Sequence, residues 1–260
     1  MKNKGIMDPN ARRPTAARLH ARCAFSLAVA ALFAYAMYVE ADDLTSAAPM
    51  GKAWTFSLSP YLWAAGINGK AGTLPGLPPA DVDERFSDIF NDLQFSGMLF
   101  YSARKGRFGI SGDIQYVQTL TKDNALAPLF SRNELSSKSF VFSVLGEYLL
   151  VDDERSTLRL AGGARLWSVE NELKLSTGLL PGTSIKGEET WVDPVVGMSG
   201  RFNLGPKVFL SGWAFVGGFG VGADVTADLF AGVGYRVTDS ISSTLGYRWV
   251  KVDYENNAFV

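Results

Sequence analysis

Residues 196–216 read VGMSGRFNLGPKVFLSGWAFV, and the way this stretch alternates decides the fold. Val196, Met198, Phe202 and Leu204 share one parity, and Ser199 and Arg201 share the other. After Gly205-Pro206 the apolar series resumes at Val208, Leu210, Ala214 and Val216. Successive side chains of a strand point to opposite faces, so the pattern predicts two strands joined by a tight turn.

The same alternation runs outward in both directions. Upstream it is carried by Trp54, Phe56, Leu58 and Leu62, then by Phe95, Leu99 and Tyr101, then by Phe108, Ile110, Ile114 and Tyr116. It continues through Phe140, Phe142, Val144 and Tyr148, and through Leu158, Leu160, Ala164 and Leu166. Downstream come Val225, Leu229, Val233 and Tyr235, and finally Ile241, Leu245, Tyr247 and Trp249. This makes nine strands, each expected to span about 10–15 residues, longer than the usual globular strand and suited to a tilted membrane crossing.

The apolar parity of these nine strands carries no Asp, Glu, Lys or Arg. The opposite parity carries Asp113, Glu147, Arg159, Arg165, Arg201, Asp228, Arg236 and Arg248 among Gly, Ser and Thr, together with Arg104 and Asp193. An Arg or Lys facing the bilayer midplane of such a barrel costs about 2–4 kcal/mol, which would keep one face free of charge. A soluble barrel would turn the apolar face inward instead. Its water-facing exterior would be dense in mixed charge, whereas the polar parity here holds about one charge per strand. Trp54, Tyr101, Tyr116, Tyr148, Tyr235, Tyr247 and Trp249 mark the apolar face near strand ends, where a ring with one polar edge suits a membrane–water boundary. The expected fold is therefore an all-β, antiparallel up-and-down transmembrane β-barrel with a narrow polar lumen. The eight charged residues named first would form a salt-bridge network inside it, since buried charges must pair or meet water.

Connections support that reading. Residues 105–106, 205–206 and 238–239 are tight turns and 151–156 a short one, while 69–93, 122–136 and 172–188 are long. Short and long connections alternate, as they do between the periplasmic and outer sides of such barrels. Starting in the periplasm, nine strands end outside and leave an open edge. The expectation is thus nine strands present of ten, with the last one missing from the sequence, because an unpaired edge in hydrocarbon costs several kcal/mol per group. Within 69–93, DVDERFSDIFNDL places Phe86, Ile89, Phe90 and Leu93 on one helical face. Asp81 and Glu84 resemble a capping box, so a short helix resting on the rim is predicted there.

The chain begins differently. Lys2, Lys4, Arg12, Arg13, Arg18 and Arg22 precede an apolar run from Cys23 to Val39, and Val39-Glu40-Ala41 places small residues at the positions a signal peptidase reads. Residues 1–41 are read as a secretory signal peptide, 42–53 as a short periplasmic segment and 54–260 as the barrel. Taking six bases and two acids from 25 and 26 leaves 19 and 24, a net charge of −5. There is no basic stripe for nucleic acid. The only cysteine, Cys23, and the only histidine, His20, leave with the signal. No thiol nucleophile, imidazole base or ordinary zinc site remains, and no cofactor, metal or catalytic residue is assigned. Gly218-x-Gly220-x-Gly222 precedes no helix pattern and reads as a hairpin tip, not a phosphate loop.

With the strands in place, the sequence resembles a set of largely uncharacterised Gram-negative outer-membrane β-barrel proteins of the OmpA-like type. The resemblance rests on SPYLWAAGINGKAG (59–72), RFSDIFNDLQF (85–95), ARKGRFGISGDIQY (103–116), AGGARLW (161–167), DPVVGMSGRFNL (193–204), VGGFGVGADVT (216–226), AGVGYR (231–236) and LGYRWVKVDYEN (245–256). It implies location in the outer membrane, contact with its lipid and handling by the barrel-assembly machinery during biogenesis, and no known reaction. The expected role is non-enzymatic, structural or surface-interacting through the outer loops. A small-solute channel, anion-leaning from its excess of Arg, is the alternative. An outer-membrane hydrolase is third, because the enzymes of that membrane known to us use a His that the exported chain lacks.

Overall fold

A computed structural model describes residues 23–30, 53–62, 66–71, 80–84, 86–123 and 130–254. The chain runs through β1 (Cys23–Ala30), β2 (Thr55–Pro60), β3 (Ile67–Ala71), β4 (Ala80–Glu84), α1 (Phe86–Asp92), β5 (Leu93–Lys105) and β6 (Phe108–Asp123). It continues with β7 (Phe130–Asp152), β8 (Ser156–Thr177), β9 (Thr183–Asn203), β10 (Val208–Gly218), β11 (Val225–Arg236) and β12 (Ser242–Tyr254). The fold is all-β: one antiparallel sheet in the order β2-β5-β6-β7-β8-β9-β10-β11-β12-β1-β3-β4.

The nine strands β2 and β5 to β12 are those the alternation predicts, each paired to its neighbour in an up-and-down meander. The sheet curls around a lumen, and the side chain of Tyr61, just after β2, meets side chains from β6 and β12 across it. Between strands the chain turns tightly at one end, the turn end, after β5, β7, β9 and β11. The opposite, loop end carries the connections after β2, β6, β8 and β10.

Three features depart from expectation. First, β7, β8 and β9 are 23, 22 and 21 residues long, so most of the expected loops at 122–136 and 172–188 is paired strand. There the outward parity turns to Glu170, Glu172, Lys174 and Lys186 and the apolar residues Leu173, Leu175 and Ile185 fall on the inward one, while the ladder Leu173↔Ile185 and Lys174↔Ser184 extends the hairpin. Second, Ala80–Glu84 is a strand paired to β3, so the helix begins at Phe86 and Asp81 and Glu84 form no capping box. Phe90 on α1 is exposed. Third, Cys23–Ala30 runs antiparallel to β12, from Cys23↔Tyr254 to Ala30↔Tyr247, and thereby pairs an edge otherwise open. The expected cleavage site after Ala41 and the tail beyond Tyr254 lie outside the described residues.

Burial splits by parity. Val144, Leu160, Val192, Val196, Met198, Leu210, Leu229, Val233 and Leu245 face outward and are exposed. Asp113, Ser143, Glu147, Arg165, Asp193, Asp228 and Arg248 face inward and are buried. The outward apolar belt has charged rims. At the turn end stand Lys105, Arg107 and Arg155. Toward the loop end Lys138, Glu170 and Lys186 form an ion-pair ladder across three strands at 2.9 and 3.2 Å.

Candidate functional site: the lumen

Strand register fixes what the lumen contains. One inward row runs Ser59, Phe100, Asp113, Ser143, Arg165 and Asp193 across β2 and β5 to β9. Another runs Arg159, Ser199, Trp213, Phe230 and Arg248 across β8 to β12. Curling the sheet brings the two rows face to face.

At mid-height Arg248 is the hub. Its Nε and Nη2 donate to the two oxygens of Asp228 at 3.0 and 2.7 Å, Nη2 also reaches Asp113 at 3.1 Å, and Nη1 donates to the Tyr61 hydroxyl at 3.1 Å. Arg165 completes the cluster, donating to Ser143 Oγ at 2.8 Å and Asp228 Oδ2 at 2.9 Å. The Trp213 indole N–H donates to Asp228 Oδ1 at 2.9 Å, and Gln115 donates to Asp113 at 2.8 Å. Two guanidiniums thus face two carboxylates with few lone pairs left over, the condition under which buried ions are tolerated.

Of the eight charged residues singled out from sequence, Asp113, Arg165, Asp228 and Arg248 meet in this cluster. Glu147 and Arg159 lie closer to the turn end, in a second group with Arg104. Arg104 grips Glu147 through both oxygens at 2.8 and 3.3 Å, while Arg159 approaches it only to 4.0 Å. The Arg201 guanidinium sits 3.4 Å from the centre of the Phe209 ring. Arg236 lies at the turn end and donates to the Pro206 carbonyl at 2.9 Å.

The aromatic residues on the other parity fall as follows. Trp54, Tyr148, Tyr235 and Tyr247 are exposed on the outer face, and Trp249 and Tyr116 are half-buried there. Tyr148 packs edge-on against Phe108 near the turn end. Tyr101 does not stand out from the wall: it lies over Gly112 and donates to the Ser143 carbonyl at 2.8 Å.

The lumen is not simply polar, and this corrects the sequence reading. Tyr61, Phe100, Trp213 and Phe230 form one aromatic band: Tyr61 stacks on Phe100 at 4.4 Å and Trp213 on Phe230 at 4.2 Å, and Phe100 meets Trp213 edge-on at 5.0 Å. Leu145, Ala161, Val195 and Phe215 form an apolar cluster beside it. The signal for these residues was present in the parity: Phe209, Trp213 and Phe215 alternate with the outward Leu210, Ala214 and Val216. A strand greasy on both faces does not say which of its rings is inside until the register is known.

The two ends differ. From the turn end a cavity of about 500 Å³ extends inward past Arg104, Arg159 and Arg201 and reaches the aromatic band and the Arg248 cluster. Beyond the cluster, Ala223, Val250 and Val252 pack with Trp167, Trp191 and Tyr254. Trp191 stacks on Tyr254 at 4.0 Å and on Trp167 at 5.9 Å. The loop after β10 is folded into this seal. Asp193, fully buried, accepts from the Ala223 N–H at 2.7 Å. A Cβ on Gly222 would sit 2.7 Å from Asp193 Oδ1 and from the Val192 carbonyl, so a glycine is required at that approach. Gly218, Phe219 and Gly220 all have positive φ, which tightens the turn that delivers Ala223 to Asp193.

No family model matches the chain, and no curated protein matches it. Among solved structures, the chain is similar to the CymD monoaromatic hydrocarbon channel, at 7% identity and a TM-score of 0.29, over 92% of this chain and 89% of that one.

Proposed function

We propose that this chain is an integral outer-membrane β-barrel protein, non-enzymatic, whose lumen is a blind vestibule open at the periplasmic end and sealed toward the outside. The observation that carries the reading is the inverted distribution of side chains. Leu160 and Val233 are 44% and 53% exposed, whereas Arg165 and Glu147 are 4% and 6% exposed. In water this arrangement would expose a contiguous apolar belt far beyond what soluble monomers carry. In a bilayer the belt is the solvated surface, and the rims of Lys, Arg and Glu sit at the headgroups. The short turns then face the periplasm.

A permeation role is the second reading, favoured by the cavity itself. As folded, the Arg248 cluster and the Trp167–Trp191–Tyr254 stack stand between that cavity and the loop end, so passage requires the loop after β10 to move.

Membrane placement is tested by single spin labels at Val196→Cys and Ser199→Cys, in a Cys23→Ser background reconstituted in liposomes. The label at 196 should relax with dissolved oxygen and resist a water-soluble nickel chelate. The label at 199 should show the opposite preference. Chelate access at 196 equal to that at 199 would remove the bilayer from the argument.

A further inference from the structure

We propose that the vestibule is a binding site for a small aromatic carboxylate, with its ring against the band of Phe100, Trp213 and Phe230 and its carboxylate on Arg159. The proposal deepens the reading of the lumen as a blind vestibule and rests on it.

Among the described lining residues near the mouth, basic groups outnumber acidic ones. Arg104, Arg159 and Arg201 line the cavity there, against Glu147 and Asp152. Glu147 is already held by Arg104 through both oxygens. Arg159 approaches the same carboxylate only to 4.0 Å, and its buried Nη1 makes no hydrogen bond among the described residues. A guanidinium that lines the cavity with one nitrogen left without a partner among the described residues is matched by a carboxylate, whose charge and oxygens complement it.

The register places the rings at a suitable distance from this charge. Arg159, Ser199 and Trp213 occupy one row on three neighbouring strands, followed by Phe230. With about 4.8 Å between strands, Arg159 and Trp213 originate roughly 10 Å apart. The only inward side chain between them in that row is the small hydroxymethyl of Ser199. A ring, a two-carbon spacer and a carboxylate fill that distance. The cavity volume of about 500 Å³ falls within the usual range for small-molecule sites. A bare inorganic anion would leave the aromatic band wet, and a neutral ring would leave Arg159 without an acceptor.

Isothermal titration calorimetry on the full chain folded in detergent, corrected against empty micelles, separates the cases with three probes. These are 3-phenylpropionate, its neutral counterpart 3-phenylpropanol, and propionate. Phenylpropionate should bind at least tenfold tighter than either of the others. Arg159→Gln should erase the preference for acid over alcohol, and Arg159→Lys should restore part of it. Ser199→Trp, which fills the space between charge and ring, should abolish binding of the acid. The proposal falls if the acid shows no saturable heat, or if its advantage over the alcohol is absent in the parent chain or survives Arg159→Gln. It falls equally if Ser199→Trp binds as the parent does, a comparison that decides the matter should Arg159→Gln not fold. Because the spin-label test reads the outer wall without ligand, lost binding with a lipid-facing Val196 condemns the ligand assignment alone.

Discussion

The lumen has two halves built on opposite principles. Toward the turn end many inward residues are small or charged, and space remains: Ser57, Ser59, Ser111, Ser199 and Ser211 leave room that Arg104, Arg159, Arg201, Leu149 and Phe209 only partly fill. Toward the loop end the large inward residues pack together: Trp167, Trp191 and Tyr254 stack in series against Val250 and Val252. Between them stands the Arg248 cluster, which touches both the aromatic band and the carboxylates of β6 and β11. One barrel wall thus supports a solvated chamber and a packed core in series, and the boundary is electrostatic. The outward parity of this wall is apolar beside both halves, so the inward parity decides which half opens.

Removing the boundary should have the largest effect. Arg248→Met takes away the shared partner of Asp113 and Asp228, both nearly inaccessible to water. Leaving a buried ion without its partner costs about 3–5 kcal/mol, and urea unfolding of the detergent-folded chain should register a loss of that size. Adding Asp228→Leu to Arg248→Met should recover part of it, since one buried carboxylate is removed with its cation. A double variant no better than the single one would mean that Trp213 and Arg165, not the Arg248 pair, set the cost at Asp228.

The next effect separates the two halves directly. Trp191→Ala removes the ring sandwiched between Trp167 and Tyr254 and the indole N–H that reaches Asp193 at 3.2 Å. Truncating a packed Trp costs about 3 kcal/mol. The more telling readout is electrical: planar-bilayer recordings of the parent chain should be silent, and Trp191→Ala should add brief conductance steps as the loop after β10 loses its support. Steps of equal size and frequency in both proteins would show that the loop end is not the seal.

These two residues also mark how far the sequence could be read. Arg248 was legible because it follows Ser242, Thr244 and Gly246 on the parity opposite Leu245, Tyr247 and Trp249, and a lone charge on that parity must face the lumen. Trp191 was not legible as a seal. Its role depends on lying beside Trp167 through the Trp167↔Trp191 pairing and beside Tyr254 across the lumen, contacts that only register and curvature create. The same holds for Phe100 and Phe230, which join one band although far apart in sequence. The overlong strands β7 to β9 were hidden for another reason: beyond the apolar belt their outward parity turns to Lys and Glu, and in a sequence that reads as loop. Alternation reports the solvent on each side of a wall, and where both sides are wet it falls silent.

The smallest expected effect tests whether the turn end is held by local bonds while the loop end is held by distant ones. In the turn after β7, Asp153 accepts from the backbone N–H groups of Arg155 and Ser156 at 2.9 and 2.7 Å and from Ser156 Oγ at 2.7 Å. Those donors, the Ser156 hydroxyl foremost, hold its carboxyl below the usual range. A carboxylate depressed in the folded state contributes stability above its unfolded pKa of about 3.9, and that contribution is lost as pH falls through the lower folded value. The melting-temperature difference between the parent and Asp153→Ala should therefore be constant from neutral pH down to about pH 5 and should shrink below about pH 4. Asp193 makes the contrasting case, because its N–H partner at Ala223 lies on another hairpin. Asp193→Asn should loosen the seal that Trp191→Ala opens, whereas Asp153→Ala should leave the conductance record silent. A conducting Asp153→Ala barrel would mean that the two ends are coupled through the wall and that the lumen does not divide at Arg248.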